Sequence, residues 1–191
     1  MYKHNNLHTE SLRDDDYAAE GDFFITINAE NNNTVFAEIV NGKTHLLPEG
    51  KLVRNVLLEM EKHFLNLTVE AFVIMPNHIH AIVNLASIPP ENLIVQGVSR
   101  FEMSFGLMVG RLNPFLLKGS IFHAITWFKA SSLIELRKNG NDDFTWKSGY
   151  FDFVIDNKTS YNNIKNYIQH DPLNWLDDID HPENNFRSII Y

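Results

Sequence analysis

Two rhythms of apolar and polar positions run along the chain. "DFFITIN" (22–28) and "TVFAEIV" (34–40) are runs rich in β-branched and aromatic residues, separated by the Asn-rich "NNN", and they read as a hairpin. "NGK" (41–43) marks another turn, with "THLL" extending the sheet before Pro48. From Gly50 the period changes. In "KLVRNVLLEMEKHFLN", Leu52, Val56, Met60 and Phe64 recur every fourth residue with Val53, Leu57 and Leu58 beside them, the stripe of an amphipathic helix. "LTVEAFVIM" and "HIHAIVNL" return to strand composition about a tight turn at Pro76-Asn77. "SIFHAITWFKASSLIELRKNG" predicts a helix with Ser120 as N-cap and Gly140 as its stop. "FTWKSGYFDFVID" predicts a strand, and "TSYNNIKNYIQHDPLNW" a short helix opened by Thr159 or Ser160 and ended near Pro172. The order ββαββ…αβα, with hairpin connections, predicts an α+β fold: an antiparallel sheet with helices packed on one face.

Length and composition narrow the class. The 191 residues suit a single domain over 1–191. Residues 86–119 mix Pro, Gly and apolar side chains without a period and predict an insertion; residues 173–191 predict an acidic C-terminal tail. There is no cysteine, which excludes a disulfide scaffold and any thiolate metal site. The first 22 residues lack an apolar signal core and no 18-residue apolar run follows, so the expectation is a cytoplasmic protein that spans no membrane. A net charge of −8 argues against a nucleic-acid partner, but its distribution softens that argument. Residues 93–150 carry seven Lys/Arg against four acids, a net of +3, which leaves −11 for the remainder.

Candidate chemistry gathers at two places. Residues i and i+2 of a strand share a face, so His78 and His80 project together while Ile79 enters the core. Two imidazoles from one strand suit a divalent metal, and also suit a plain half-exposed strand. In "NYIQHDP", Tyr167 and Asp171 stand four apart on the predicted helix and share its face. A hydroxyl nucleophile beside a carboxylate that completes a metal shell is one reading; a packed tyrosine near a helix end with a solvated acid is the other. His170 points about 100° away from Asp171 and is left out of the shell.

Taken together, "FVIMPNHIHAIV", "ITWFKASS", "TWKSGYFDFVIDN" and "IKNYIQHDPLNW" follow the order and rough spacing of the REP-associated tyrosine transposases, single-tyrosine HUH transposases acting on single-stranded DNA. "DDDYAAEGDFFITI" also resembles that family's opening strand. The resemblance spans nearly the whole chain outside 86–119 and the tail. It implies a ferredoxin-like or RRM-like sheet with the tyrosine helix laid across the histidine strand. It further implies that His78, His80 and Asp171 hold Mg²⁺ or Mn²⁺ and that Tyr167 is the nucleophile. The implied partner is single-stranded or hairpin DNA, which Tyr167 would nick and rejoin through a 5′-phosphotyrosine; monomer and homodimer both stay open. Lys129 and Lys147 are the expected phosphate contacts. Trp127, Trp146 and Trp175 are either stacking platforms or core. The chain departs from the pattern at Trp146-Lys147, where relatives often have Trp-Gln, and at Ile155-Asp156-Asn157, where they have Ile-Arg-Asn. That lost arginine and the acidity keep a second expectation alive: a domesticated relative that binds structured DNA without cutting it. A third, a Zn²⁺ hydrolase, lacks an HExxH motif or a third histidine at metal spacing. Tyr150 is the rival nucleophile.

Overall fold

The computed structural model describes residues 20–87 and 120–184. In chain order these form β1 (Gly21–Asn28), a 3₁₀ turn (Glu30–Asn32), β2 (Ala37–Val40), β3 (Lys43–Leu46), α1 (Pro48–His63), β4 (Leu67–Ile74) and β5 (His78–Leu85). Then follow α2 (Ile121–Lys138), β6 (Phe151–Ile155), α3 (Lys158–His170) and a 3₁₀ turn (Asp171–Asp177). Residues 88–119, most of the expected insertion, lie outside the described residues, as do 185–191 of the expected tail.

Four strands make one antiparallel sheet in the order β4-β5-β1-β6. Units β1-α1-β4 and β5-α2-β6 interleave in it, which is the ferredoxin-like arrangement of an α+β fold. The expected 22–28/34–40 hairpin does not form. Both edges of β1 are occupied, by β5 and β6, so the second run turns away and β2 pairs with β3 instead. Asn31 and Asn32 take positive φ (56° and 54°) where the chain leaves β1, a conformation asparagine tolerates better than most residues.

Alternation along the strands sorts side chains into two layers. Phe23, Ile25 and Ile27 of β1 and Ile79, Ala81 and Val83 of β5 meet Val53, Val56, Leu57 and Met60 of α1 and Ile125 and Phe128 of α2. Burial of each such large side chain contributes about 1.5–3 kcal/mol, so this layer holds the sheet to α1 and α2. The opposite layer is smaller: Phe24, Ile82 and Ile155 pack with Ile168, Ile164 and Tyr167 of α3. Helices on one face therefore describes α1 and α2, while α3 crosses the other face, the one that carries His78 and His80. A bulge in β4 between Val69 and Ala71 shifts its alternation, so Val69 and Phe72 both reach the larger layer.

The helix ends have local causes. Pro48 opens α1 in the first turn, where its missing N–H is no loss. Ser120 caps α2 by accepting the His123 N–H at 3.2 Å, as its position predicts. For α3 the cap is Asn157, whose Oδ1 accepts the Ser160 N–H at 2.8 Å, so Thr159 and Ser160 fall inside the helix. Among the described residues no helix is long and apolar enough to cross a membrane.

Candidate functional site

The Pro76-Asn77 turn delivers the chain into β5 with His78 and His80 on the α3 face. Register sets them opposite Asn28 and Thr26 of β1. Both are buried, and their Nε2 atoms face each other at 3.0 Å. Their other nitrogens are anchored. His78 Nδ1 lies 2.8 Å from Asn77 Oδ1, and the Asn77 amide nitrogen donates to the Asp180 carbonyl at 2.7 Å. That second bond fixes which way the amide points, so His78 carries its hydrogen on Nδ1 and presents a lone pair at Nε2. His80 Nδ1 meets the Thr26 hydroxyl at 2.8 Å, which can accept in the same sense. Two lone pairs facing each other at this distance repel unless a proton or a cation lies between them.

Helix α3 crosses this strand and brings Tyr167 and Asp171. The Tyr167 hydroxyl is 3.3 Å from His80 Nε2, and its ring packs against the His80 and Phe24 rings. Helical geometry continues through Asp171, placing its Oδ2 3.5 Å from His80 Nε2 and 3.8 Å from His78 Nε2. The 3₁₀ turn then folds the chain back so that Asp178 Oδ2 lies 3.7 Å from His78 Nε2. One donor atom from each of His78, His80, Asp171 and Asp178 thus falls within 4.8 Å of the others, and all four residues are buried. Oδ2 of Asp171 and Oδ2 of Asp178 have no hydrogen-bond partner. Two orphaned carboxylate oxygens converging on two imidazole lone pairs make a donor set that fits a divalent cation.

The same enclosure suppresses the tyrosine. Burial, then the charges of Asp171 and Asp178, push the Tyr167 hydroxyl well above the usual tyrosine range. Burial also raises the Asp178 carboxyl, opposed by His78.

Of the residues expected from sequence, His78, His80, Tyr167 and Asp171 meet in one place; His170 faces out and bonds the Asn166 carbonyl. In the sequence Asp178 is one acid of an acidic tail, and nothing in "DDID" marks its second acid for burial. Tyr150 belongs to the layer of α1 and α2, on the far side of the sheet from the histidines. The Lys129 ammonium donates to the carbonyls of Lys147 and Gly149, and burial lowers its pKa. Exposed Lys147 is bonded through its backbone N–H to Asn28, opposite His78. Trp146 packs among Phe36, Phe128 and Phe144, and Trp127 stacks on His63. Trp175 lies nearest the site, 6.1 Å between ring centres from His78. At the other end of the same sheet face, a cleft of about 500 Å³ is lined by Asp22, Glu70, Asn84, Asp156 and Tyr161.

No protein-family model matches the chain. A Haemophilus influenzae protein of unassigned function is 29% identical over 167 residues, covering 87% of this chain and 88% of its own. Among solved structures, a REP-associated tyrosine transposase bound to a REP hairpin aligns with a TM-score of 0.52 at 15% identity, over 82% of this chain and 69% of that one. A candidate transposase from Deinococcus radiodurans aligns at a TM-score of 0.35 and 16% identity, over 79% of this chain and 90% of its own, too distant to carry an argument. The fold is therefore transposase-like. Within that fold the His/Asp cluster sits beside a tyrosine on the helix that crosses it.

Proposed function

We propose that this protein is a metal-dependent tyrosine transposase, a strand-transferring endonuclease that nicks and rejoins single-stranded DNA at a hairpin. The observation that carries the reading is the Tyr167 hydroxyl 3.3 Å from His80 Nε2, beside a buried donor cluster. His78, His80 and Asp171 would hold Mg²⁺ or Mn²⁺. When bound, such a cation supplies positive charge that offsets the negative charge developing on the attacked phosphate and the departing oxygen. Tyr167 Oη forms a bond to phosphorus, the bond from phosphorus to the 3′ oxygen breaks, and the products are a 5′-phosphotyrosine and a free 3′-OH. The Asp171 carboxylate, hydrogen-bonded to the Tyr167 hydroxyl, would take its proton, and solvent water would supply the proton that the departing 3′ oxygen takes up. Thr26 and Asn77 hold the two imidazoles in the tautomers that turn both Nε2 lone pairs toward the cluster. The hairpin in the structural neighbour suggests structured DNA as partner. Lys147, exposed near the histidine end of the sheet, is the better remaining phosphate contact, since the Lys129 ammonium is already bonded to backbone.

The test is to incubate the chain with single-stranded hairpin oligonucleotides and Mn²⁺, then seek an SDS-resistant protein–DNA adduct. The wild type should form it and Tyr167→Phe should not. The engaged Lys129 and the net charge of −8 favour a second reading, a domesticated relative that binds structured DNA without cutting it. Hairpin binding that never yields an adduct with any metal would select that reading. Strand cleavage by Tyr167→Phe without an adduct would indicate attack by water instead.

A further inference from the structure

We propose that Asp178 is a fourth protein donor to the cation, and that the resulting two-nitrogen, two-carboxylate set takes a six-coordinate transition-metal ion of the Mn²⁺ kind in preference to Mg²⁺. The inference rests on the metal-dependent reading above and goes beyond its three ligands.

The position of Asp178 is built rather than incidental. Its side chain is 3% exposed although it follows an exposed neighbour, Asp177, in an acidic stretch. Its Oδ1 accepts the Asp180 N–H at 2.7 Å, which turns Oδ2 toward His78 Nε2 at 3.7 Å and leaves it without a partner. The Asp180 carbonyl in turn accepts from Asn77, whose other amide atom holds His78 Nδ1. One asparagine side chain therefore sets both the His78 ring and the turn that carries Asp178. From His78 through Asn77, Asp180 and Asp178 the chain of contacts returns to His78, and the gap in the ring is the space between Nε2 and Oδ2. Asp171 faces the same space from the end of α3.

Ligand chemistry then decides the ion. Mg²⁺ prefers oxygen donors, keeps several waters and is seldom held by an all-protein cage. Carboxylates suit Mg²⁺ and Mn²⁺ alike, so the discrimination comes from the two imidazole nitrogens, which favour first-row transition metals. Four protein donors on a six-coordinate ion leave two positions for other ligands. On tetrahedral Zn²⁺ they leave none, so Zn²⁺ would bind tightly and close the site.

The experiment is calorimetric titration of the whole chain with MnCl₂ and separately with MgCl₂, for the wild type, Asp178→Ala, Asp178→Asn and Asp177→Ala. The wild type should bind Mn²⁺ at least tenfold more tightly than Mg²⁺. Asp178→Ala should weaken Mn²⁺ binding tenfold or more and narrow the Mn²⁺/Mg²⁺ ratio. Asp177→Ala removes the same formal charge from an exposed position and should change neither. If Asp178→Ala does not fold, the isosteric Asp178→Asn carries the comparison, with a smaller loss. Equal effects at Asp177 and Asp178, or equal affinity of the wild type for the two ions, would overturn the inference while leaving a three-ligand site intact. No Mn²⁺ binding by the wild type would overturn both readings. Mn²⁺ binding that depends on Asp178 in a chain that never forms a DNA adduct would uphold the inference and sink the transposase reading.

Discussion

Asp152→Asn should make the folded protein more stable at pH 7 and nearly indifferent to the change at pH 4. Asp152 pairs with Ile25 across the β1/β6 ladder, on the edge strand and facing the layer of α1 and α2. Its Oδ2 is buried with no partner, and burial pushes its carboxyl from 3.8 up to about 6, against a backbone hydrogen bond that lowers it. Between those two values the folded chain holds a proton that the unfolded chain has released. Stability contributed by this group is therefore fully present below about pH 4 and is lost as pH rises to about 6, then stays level. A shift of about two units corresponds to a ceiling of about 3 kcal/mol. Because the carboxyl is only half-buried, water screens part of this, and about 1–2 kcal/mol is the working figure. Urea unfolding of wild type and Asp152→Asn at pH 4, 5, 6 and 7 measures it. At any one pH the difference includes whatever the amide itself gains or loses, but the slope between pH 4 and 6 belongs to ionisation alone. A difference that does not grow in favour of Asp152→Asn over that interval would refute the argument.

Other substitutions probe the frame and the site. In Gly50→Ala the new Cβ would overlap the Phe36 carbonyl, a backbone atom that cannot swing aside. We expect a loss of about 3 kcal/mol, a fall of roughly 6–12 °C in Tm by calorimetry. Ser132→Ala removes the acceptor of the Trp146 indole N–H, now at 3.0 Å, and should cost about 1–3 kcal/mol in urea unfolding. For Tyr167, burial is the first cause that keeps its hydroxyl protonated, and the neighbouring carboxylates, the second, are those a cation would neutralise. The tyrosinate absorbance present in wild type and absent in Tyr167→Phe should therefore emerge at lower pH with Mn²⁺ than with EDTA; an unmoved step would argue against a cation at this position.

Much of the frame could be read directly. The four-residue stripe of α1, the Ser120 cap and the alternation that sends Ile79 inward are local properties, and the structure follows them. Strand pairing is not local. β1 meets β5 and β6 rather than the run that follows it, so that partners distant in sequence occupy both of its edges. At the start of α3, four cap-capable residues follow the strand, Asp156, Asn157, Thr159 and Ser160, and the end of β6 at Ile155 gives the role to Asn157. His78, His80, Tyr167 and Asp171 were visible through i+2 and i+4 spacing. Asp178 was not. Its burial depends on a 3₁₀ turn and on a bond from Asn77 to a carbonyl 103 residues away, and neither leaves a mark in composition.

The cleft lined by Asp22, Glu70 and Asp156 gives the histidine face a polarity of its own. Positions 78, 80, 82 and 84 of β5 share that face, so Asn84, at the cleft, is about 13 Å from His80 at the usual rise of about 3.3 Å per residue. Three carboxylates and Lys158 stand at that end, and the donor cluster stands at the other. Between the two ends the face is closed, with Phe24 and Ile82 lying under Ile164, Tyr167 and Ile168 of α3. Whatever meets the acids at one end therefore meets no part of the donor cluster, and the two ends of this face are separate surfaces of the molecule.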